Sequence, residues 1–156
     1  MKKVYHIKHT QFINSNIETV WEFFSLPSNL DKITPPAMKF NTLHITGGER
    51  MYSGQLICYK VSPLPLFRIR WTTEIKNVSY QKYFIDEQKH GPFSLWYHQH
   101  IFIEKPNGVE MVDEVSYALP LGWIGRVVNL LFMETKVKGI FEYRRKAIDQ
   151  IFNGVV

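Results

Sequence analysis

The chain has 156 residues, with 45% hydrophobic and 21% charged residues, which fits one globular domain large enough to bury its own core. A single cysteine, Cys58, excludes an intramolecular disulfide, and no run approaches the roughly 18 apolar residues a membrane span needs. The net charge is +5, but basic residues are scattered and alternate with acids, as in Glu142-Tyr143-Arg144-Arg145, which argues against a nucleic-acid partner.

Met1-Lys2-Lys3 starts basic with no apolar stretch behind it, so no signal peptide is expected and the cytoplasm is the expected compartment. Residues 4–13 read as a first strand. Ser15-Asn16-Ile17-Glu18 has the form of a capping box, with the Ser15 side chain accepting from the Glu18 amide. Ile17, Val20, Trp21 and Phe24 then recur at i, i+3, i+4 and i+7, predicting a short amphipathic helix. Pro27-Ser28-Asn29-Leu30-Asp31 opens a second helix, which Pro35-Pro36 must end because proline lacks the amide donor. From residue 38 to 118 the pattern becomes strands, at 38–46, 52–61, 66–78, 80–88, 93–105 and 109–118. They are separated by Gly and Pro marks and form an expected antiparallel meander. Asn107-Gly108 predicts a tight type I′ hairpin, since both residues tolerate positive φ. Cys58 lies in an apolar run and reads as a small buried hydrophobe.

Residues 124–152 read as one long helix. Leu130, Met133, Val137, Ile140, Ala147 and Ile151 form its inward stripe, widened by Val127, Phe141 and Ile148, with Arg144 snorkelling from one slot to the edge. Glu134–Lys138 and Glu142–Lys146 are i,i+4 pairs on its polar side. Helices segregated to one face of an antiparallel sheet make an α+β domain, expected here over residues 1–156 with about seven strands. A curved sheet gripping one helix leaves a gap that side chains do not fill, and the gap becomes a pocket.

Several segments carry a resemblance. They include Leu26-Pro27-Ser28-Asn29-Leu30, Ile33-Thr34-Pro35-Pro36, Trp71-x-Thr73-x-Ile75 and Phe84-Ile85-Asp86-Glu87-Gln88. With them stand Gly91-Pro92-Phe93-x-x-Trp96-x-His98-x-His100-x-Phe102, Asp113-x-Val115-x-Tyr117 and Pro120-Leu121-Gly122. Together with the element order, the chain resembles the helix-grip superfamily of START lipid-transfer domains, birch-pollen allergens and aromatic polyketide cyclases (SRPBCC), and within it a bacterial subgroup of ligand-binding domains. The resemblance covers essentially the whole chain. It implies a curved sheet around the C-terminal helix and a cavity for a small molecule. It implies no reaction, because that superfamily mixes carriers, receptors and enzymes.

Trp96, His98, His100 and Phe102 alternate on one strand and share a face. Trp71-Thr73, Phe84-Asp86 and Asp113-Val115-Tyr117 alternate in the same way, and Tyr59 is placed with them. If these faces coincide, they form an aromatic wall with sparse polar groups, the usual make-up of a small-molecule site. The opposite set, Leu95-Tyr97-Gln99-Ile101-Ile103, is also rich in apolar groups, so periodicity alone does not choose, and the resemblance points to the first face as the inward one. Three readings stay open for His98 and His100: general acid/base groups oriented by Asp113 or Asp86, two ligands of a metal, or hydrogen-bonding groups without chemistry. A lone His-x-His is weak evidence for a metal, and no cofactor is expected. Asp86 and Asp113 read as structural ion pairs with Arg70, His98 or His100.

Two apolar loops remain, 62–67 and 119–124, expected to close the pocket as a lid or to cap the core, with transient contact to an anionic membrane as the alternative. The expected function is binding of an apolar or aromatic small molecule, a lipid or a metabolite. The alternative is a polyketide cyclase- or dehydratase-like enzyme using the pocket His and Asp residues.

Overall fold

In the computed structural model, which describes residues 3–64 and 67–154, seven strands form one antiparallel sheet. They are β1 (Tyr5–Ile13), β2 (Asn41–Ile45), β3 (Leu56–Leu64), β4 (Phe67–Ser79), β5 (Tyr83–His90), β6 (Leu95–Lys105) and β7 (Gly108–Ala118). Their order across the sheet is β1-β7-β6-β5-β4-β3-β2. The meander thus runs from β2 to β7, and β1 closes onto β7 with Tyr5 opposite Tyr117 and Ile13 opposite Val109. Register shifts interrupt β4 between Thr72 and Thr73 and again between Ile75 and Asn77. Such bulges add local twist and bend the sheet. The bend makes its inner face concave.

Helix α1 (Ile17–Phe24) buries Ile17, Val20, Trp21 and Phe24, the four positions its periodicity marked. Its cap differs from expectation. Asn16 is the N-cap, its Oδ1 accepting from the Thr19 amide at 2.8 Å, while the Ser15 amide is drawn back to the Ile13 carbonyl. Asparagine competes equally with serine for that role, and the strand end fixes which one wins. Pro27–Ile33 is a 3-10 helix rather than an α-helix, and a further 3-10 turn, Pro36–Met38, follows the Thr34-Pro35 break. The β6–β7 hairpin forms, but its two loop residues are Pro106 and Asn107, because Lys105 pairs with Gly108. Proline holds φ near −65°, which rules out type I′, and Asn107 does not take positive φ. Gly108 instead opens β7 at φ +155°, where a Cβ would come 2.3 Å from the Ile13 carbonyl oxygen.

The C-terminal helix runs unbroken from Gly122 to Asn153. It comprises α2 (Gly122–Val128), a π-helical turn (Asn129–Met133), α3 (Glu134–Ile148) and a second π-helical turn (Asp149–Asn153). Its inward stripe matches the expected one at Val137, Phe141, Ala147 and Ile148 and departs from it elsewhere. Gly125, Asn129, Val137, Phe141, Arg144, Ala147 and Ile148 are buried, whereas Leu130 is 76% exposed and Val127 and Ile151 are exposed. Two contacts set this rotation. Gly125 lies so close to the Pro120 carbonyl that an added Cβ would sit 2.2 Å from it. One turn on, Asn129 Oδ1 accepts a 2.9 Å hydrogen bond from the buried Tyr117 hydroxyl. Both expected i,i+4 pairs are present, Glu134–Lys138 at 2.7 Å and Glu142–Lys146 at 3.8 Å.

The interior divides in two. Beneath α1, Trp21 meets Phe102 and Phe84 edge to face, and Ile13, Val109, Met111 and Ile148 complete a solid apolar core. Toward the other end, Val61, Trp71, Phe93, Val115, Tyr117, Val137 and Phe141 form a second cluster that borders open space.

Candidate functional site

Between the concave face of the sheet and the C-terminal helix lies a cavity of about 1210 Å³. That is room for a ligand of considerable size, since small-molecule pockets commonly span roughly 300–1,000 Å³. Strands β3, β4, β5 and β6 supply one wall because their inward residues alternate. Cross-strand pairs hold them level, with Tyr59 opposite Trp71, Ile75 opposite Asp86 and Asp86 opposite His98. The helix and the 3-10 turns at Pro27–Ile33 and Pro36–Met38 close the other side.

Of the residues singled out in the sequence, Tyr59, Trp71, Thr73, Phe84, Asp86, Trp96, His98 and His100 line this cavity. Phe102, Asp113 and Tyr117 share the same sheet face but do not line it. Phe102 packs under α1, Asp113 lies behind the two imidazoles, and Tyr117 is committed to Asn129. The lining also includes residues not named as site candidates from the sequence, among them Ile57, Val61, Ile69 and Phe93 from the sheet side and Ile140 and Arg144 from the helix.

The wall is aromatic. Trp71 stacks on Tyr59 at 6.0 Å and meets Trp96 edge-on at 5.4 Å, while Phe93 tilts against both tryptophans. The Tyr59 hydroxyl is satisfied by Thr73 Oγ1 at 2.9 Å, and burial pushes its pKa far up, so it stays neutral. Cys58 is on the other face of β3, half-buried rather than buried, with Sγ 3.3 Å from Thr72 Oγ1.

The polar floor is a closed cluster. The His98 and His100 rings lie 3.7 Å apart, flanked by Asp86 on β5 and Asp113 on β7. His98 Nε2 is 2.8 Å from Asp113 Oδ1 and its Nδ1 is 3.4 Å from Asp86 Oδ2. His100 Nε2 is 3.0 Å from Asp86 Oδ2, and its Nδ1 is 2.9 Å from Asp113 Oδ1, an ion-pair approach off the line of a good hydrogen bond. Phe84 stacks on the His100 ring at 4.2 Å, and the Phe141 edge meets His98. Burial alone would raise both carboxyls, yet the imidazoles outweigh it and hold Asp86 low and Asp113 well below its ordinary value. Burial and the charge of its neighbour push His98 down. For His100 burial acts the same way, but two carboxylates overcome it and its pKa rises. Within the cluster a proton is therefore held more readily by His100 than by His98.

Arg144 supplies the fourth charge. It was expected to snorkel, but it is only 9% exposed, with Nη1 3.7 Å from Asp113 Oδ1 and its guanidinium over the Phe141 ring. Two buried carboxylates across the cavity make the interior a better place for its charge than an apolar helix edge. Arg70, an alternative partner by sequence, is exposed. The signal for Arg144 was its slot in the apolar register of the helix. Asp86, His98 and His100 also bring three ligand atoms within 4.8 Å of one another, a spacing a metal ion could use. Each of those residues is already engaged in imidazole–carboxylate contacts, which a metal would have to replace.

The second apolar loop was expected to close the pocket or cap the core. Leu121, Trp123 and Ile124 are instead exposed, because the rotation that buries Gly125 and Asn129 turns them outward. Pro65 and Leu66 of the first loop lie outside the described residues, and Phe67 at its end is exposed. Among the described residues, no helix is long and apolar enough to cross a membrane.

No family model matches the chain, and no curated protein matches it. Solved structures do. The Zhui aromatase/cyclase from Streptomyces superposes with a TM-score of 0.73 at 14% identity, covering 94% of this chain and 92% of that one. Norcoclaurine synthase from Thalictrum flavum, in complex with dopamine and hydroxybenzaldehyde, gives 0.68 at 13% identity, covering 96% and 87%. Major latex-like protein 151 from Panax ginseng gives 0.67 at 12% identity, covering 96% and 97%. A seven-stranded antiparallel sheet curved around a long C-terminal helix, with short helices after β1, is the helix-grip fold, and this chain has it.

Proposed function

We propose that the protein binds an apolar or aromatic small molecule, a lipid or a metabolite, in the cavity between sheet and C-terminal helix. The observation that carries this reading is the cavity itself, about 1210 Å³ walled by aromatic and aliphatic side chains and floored by a charge-paired cluster. An apolar wall gains roughly 25 cal/mol for each Å² that a ligand covers, and sparse polar groups fix its orientation. Two of the superposed structures bear the names of enzymes and one that of a latex-like protein, so the fold does not choose between carrier and catalyst. The test is native mass spectrometry with a panel of lipids and aromatic metabolites. One-to-one adducts are expected, and a panel that leaves the mass unchanged throughout defeats the proposal.

The second reading is a cyclase- or dehydratase-like enzyme, favoured by His98 and His100 both lining the cavity beside carboxylates. A neutral His98 would take a proton next to a ketone while His100 stabilised the enolate oxygen. Against it, His98 Nε2 and His100 Nε2 are hydrogen-bonded to carboxylates, and each Nδ1 also has a carboxylate oxygen within 3.4 Å that a substrate would have to displace. Turnover that drops about 100-fold or more in His98→Ala, the scale of a lost acid–base group, favours the enzyme.

Loading through transient membrane contact belongs to the same proposal. Val128, Leu131 and Phe132 line the cavity and are also exposed, continuous with Leu121, Trp123 and Leu130. Arg126, exposed between Trp123 and Val128, suits an anionic lipid surface.

A further inference from the structure

Arg144 poses a problem that the charge cluster does not solve. It is nine-tenths buried on α3 and lines the cavity. Its nearest acidic atom, Asp113 Oδ1, is 3.7 Å from Nη1, too far for a hydrogen bond and already approached by His98 at 2.8 Å and His100 at 2.9 Å. Among the described residues, Arg144 Nε and Nη1 are buried without a hydrogen-bond partner. A guanidinium is always charged and carries five N–H donors, and leaving such donors unpaired inside a protein is costly. The cation stacks on Phe141, which stabilises its charge but accepts no N–H in the plane of the fork.

A second unpaired group points the same way. Trp71 Nε1, on the sheet side of the cavity, is also buried without a partner. Indole N–H is a donor only. The fully buried unpaired atoms on the cavity-lining residues are thus N–H groups of Arg144 and Trp71 and the off-line His100 Nδ1. Among the described residues, the one unpaired buried side-chain oxygen, Gln55 Oε1, belongs to a residue that does not line the cavity. A site whose spare groups are donors selects a molecule that brings acceptor oxygens.

We propose that the ligand is an apolar molecule with an acidic oxygen head group, in the simplest case a carboxylate, and that Arg144 holds that head group inside the cavity. The proposal rests on the cavity-binding reading above and narrows it. A planar carboxylate matches the guanidinium fork better than a neutral ester or alcohol does. Charge also has a route to balance. Both imidazoles stand against Asp86 and Asp113, with Arg144 3.7 Å from Asp113, and a proton taken up in that cluster offsets an incoming carboxylate. The apolar body of the ligand would lie along Trp71, Ile75 and Ile140.

Two matched pairs test this: myristic acid with methyl myristate, and 2-naphthoic acid with methyl 2-naphthoate. Each is titrated into wild type and Arg144→Met, following tryptophan fluorescence. At least one acid is expected to bind wild type about tenfold or more tighter than its ester, the span of a hydrogen bond to a charged group. Arg144→Met should remove that preference and leave ester affinity within about twofold. Where thermal unfolding shows the Met variant unfolded, Arg144→Gln gives the same readout. Equal binding of acid and ester to wild type, or an equal loss of both in the variant, overturns the head-group proposal while cavity binding stands. Failure of all four compounds, together with an unresponsive native-mass panel, removes the binding reading and this proposal with it.

Discussion

Between Glu134 and Ile148 the C-terminal helix lays Val137, Phe141, Ala147 and Ile148 against the sheet, whereas between Leu121 and Phe132 it turns Trp123, Leu130, Leu131 and Phe132 to the outside. The two halves draw on similar apolar side chains and differ in what stands opposite. The inner half faces the concave strands and the carboxylate of Asp113. The outer half overhangs the cavity mouth, where Val128, Leu131 and Phe132 have one side on the cavity. Apolar residues that lower the energy of the fold must be covered, and the outer half is not. That exposure is what motivates including the rim in the functional proposal.

Substitution should separate the halves sharply. Phe141→Ala removes a ring that packs on His98 and under Arg144, and should cost about 3–5 kcal/mol in denaturant unfolding. A cost below about 1 kcal/mol would mean that the inner half is not the structural one.

The charged floor gives an effect of similar size with a pH signature. Asp113→Asn leaves two imidazoles and Arg144 short of a carboxylate and should destabilise by about 3 kcal/mol or more. Because the folded Asp113 pKa is depressed, its contribution is complete above the unfolded value of about 4 and is lost as pH falls below it. His100, raised, contributes below about 6.5 and loses that contribution as pH climbs through its folded value. His98, lowered, acts in the opposite sense. NMR should show His100 titrating above 6.5 and His98 below it, and Asp113→Asn should bring His100 down. Two imidazoles titrating together near 6.5 would contradict the cluster.

Gly139 lies within the inner half, on the cavity lining, with open space around a built Cβ. Gly139→Ala should raise stability by about 0.8–1 kcal/mol through helix propensity alone. A loss of stability would mean that the space there is not open.

The smallest stability effect belongs to the rim. Leu130→Ser with Phe132→Ser should change unfolding by no more than about 0.5 kcal/mol. The same pair should reduce co-sedimentation with phosphatidylserine vesicles several-fold. Unchanged sedimentation would detach the rim from membrane loading.

The strands and α1 were legible because a period of two or of 3.6 is written in side-chain polarity, but which face of β6 turns inward was not, since Leu95, Tyr97, Ile101 and Ile103 on its other face are apolar too. Capping and turn details were less so, because Ser15 and Asn16 are both good caps and Asn107-Gly108 follows a proline that resets which residues form the loop. The helix rotation was hidden for a deeper reason. It is set by a glycine fitting under the Pro120 carbonyl and by a Tyr117–Asn129 bond between elements, neither of which leaves a trace in apolar periodicity. Arg144 escaped for the same cause, since its value depends on carboxylates from β5 and β7 that only the folded sheet brings opposite it.

A crystal structure of the protein soaked with the strongest ligand from the lipid and aromatic panel goes straight to the point. We expect the bound molecule between Trp71 and Ile75 on β4 and Ile140 and Arg144 on α3. A molecule found only on the outer surface, with that interior closed by side chains, would contradict the account.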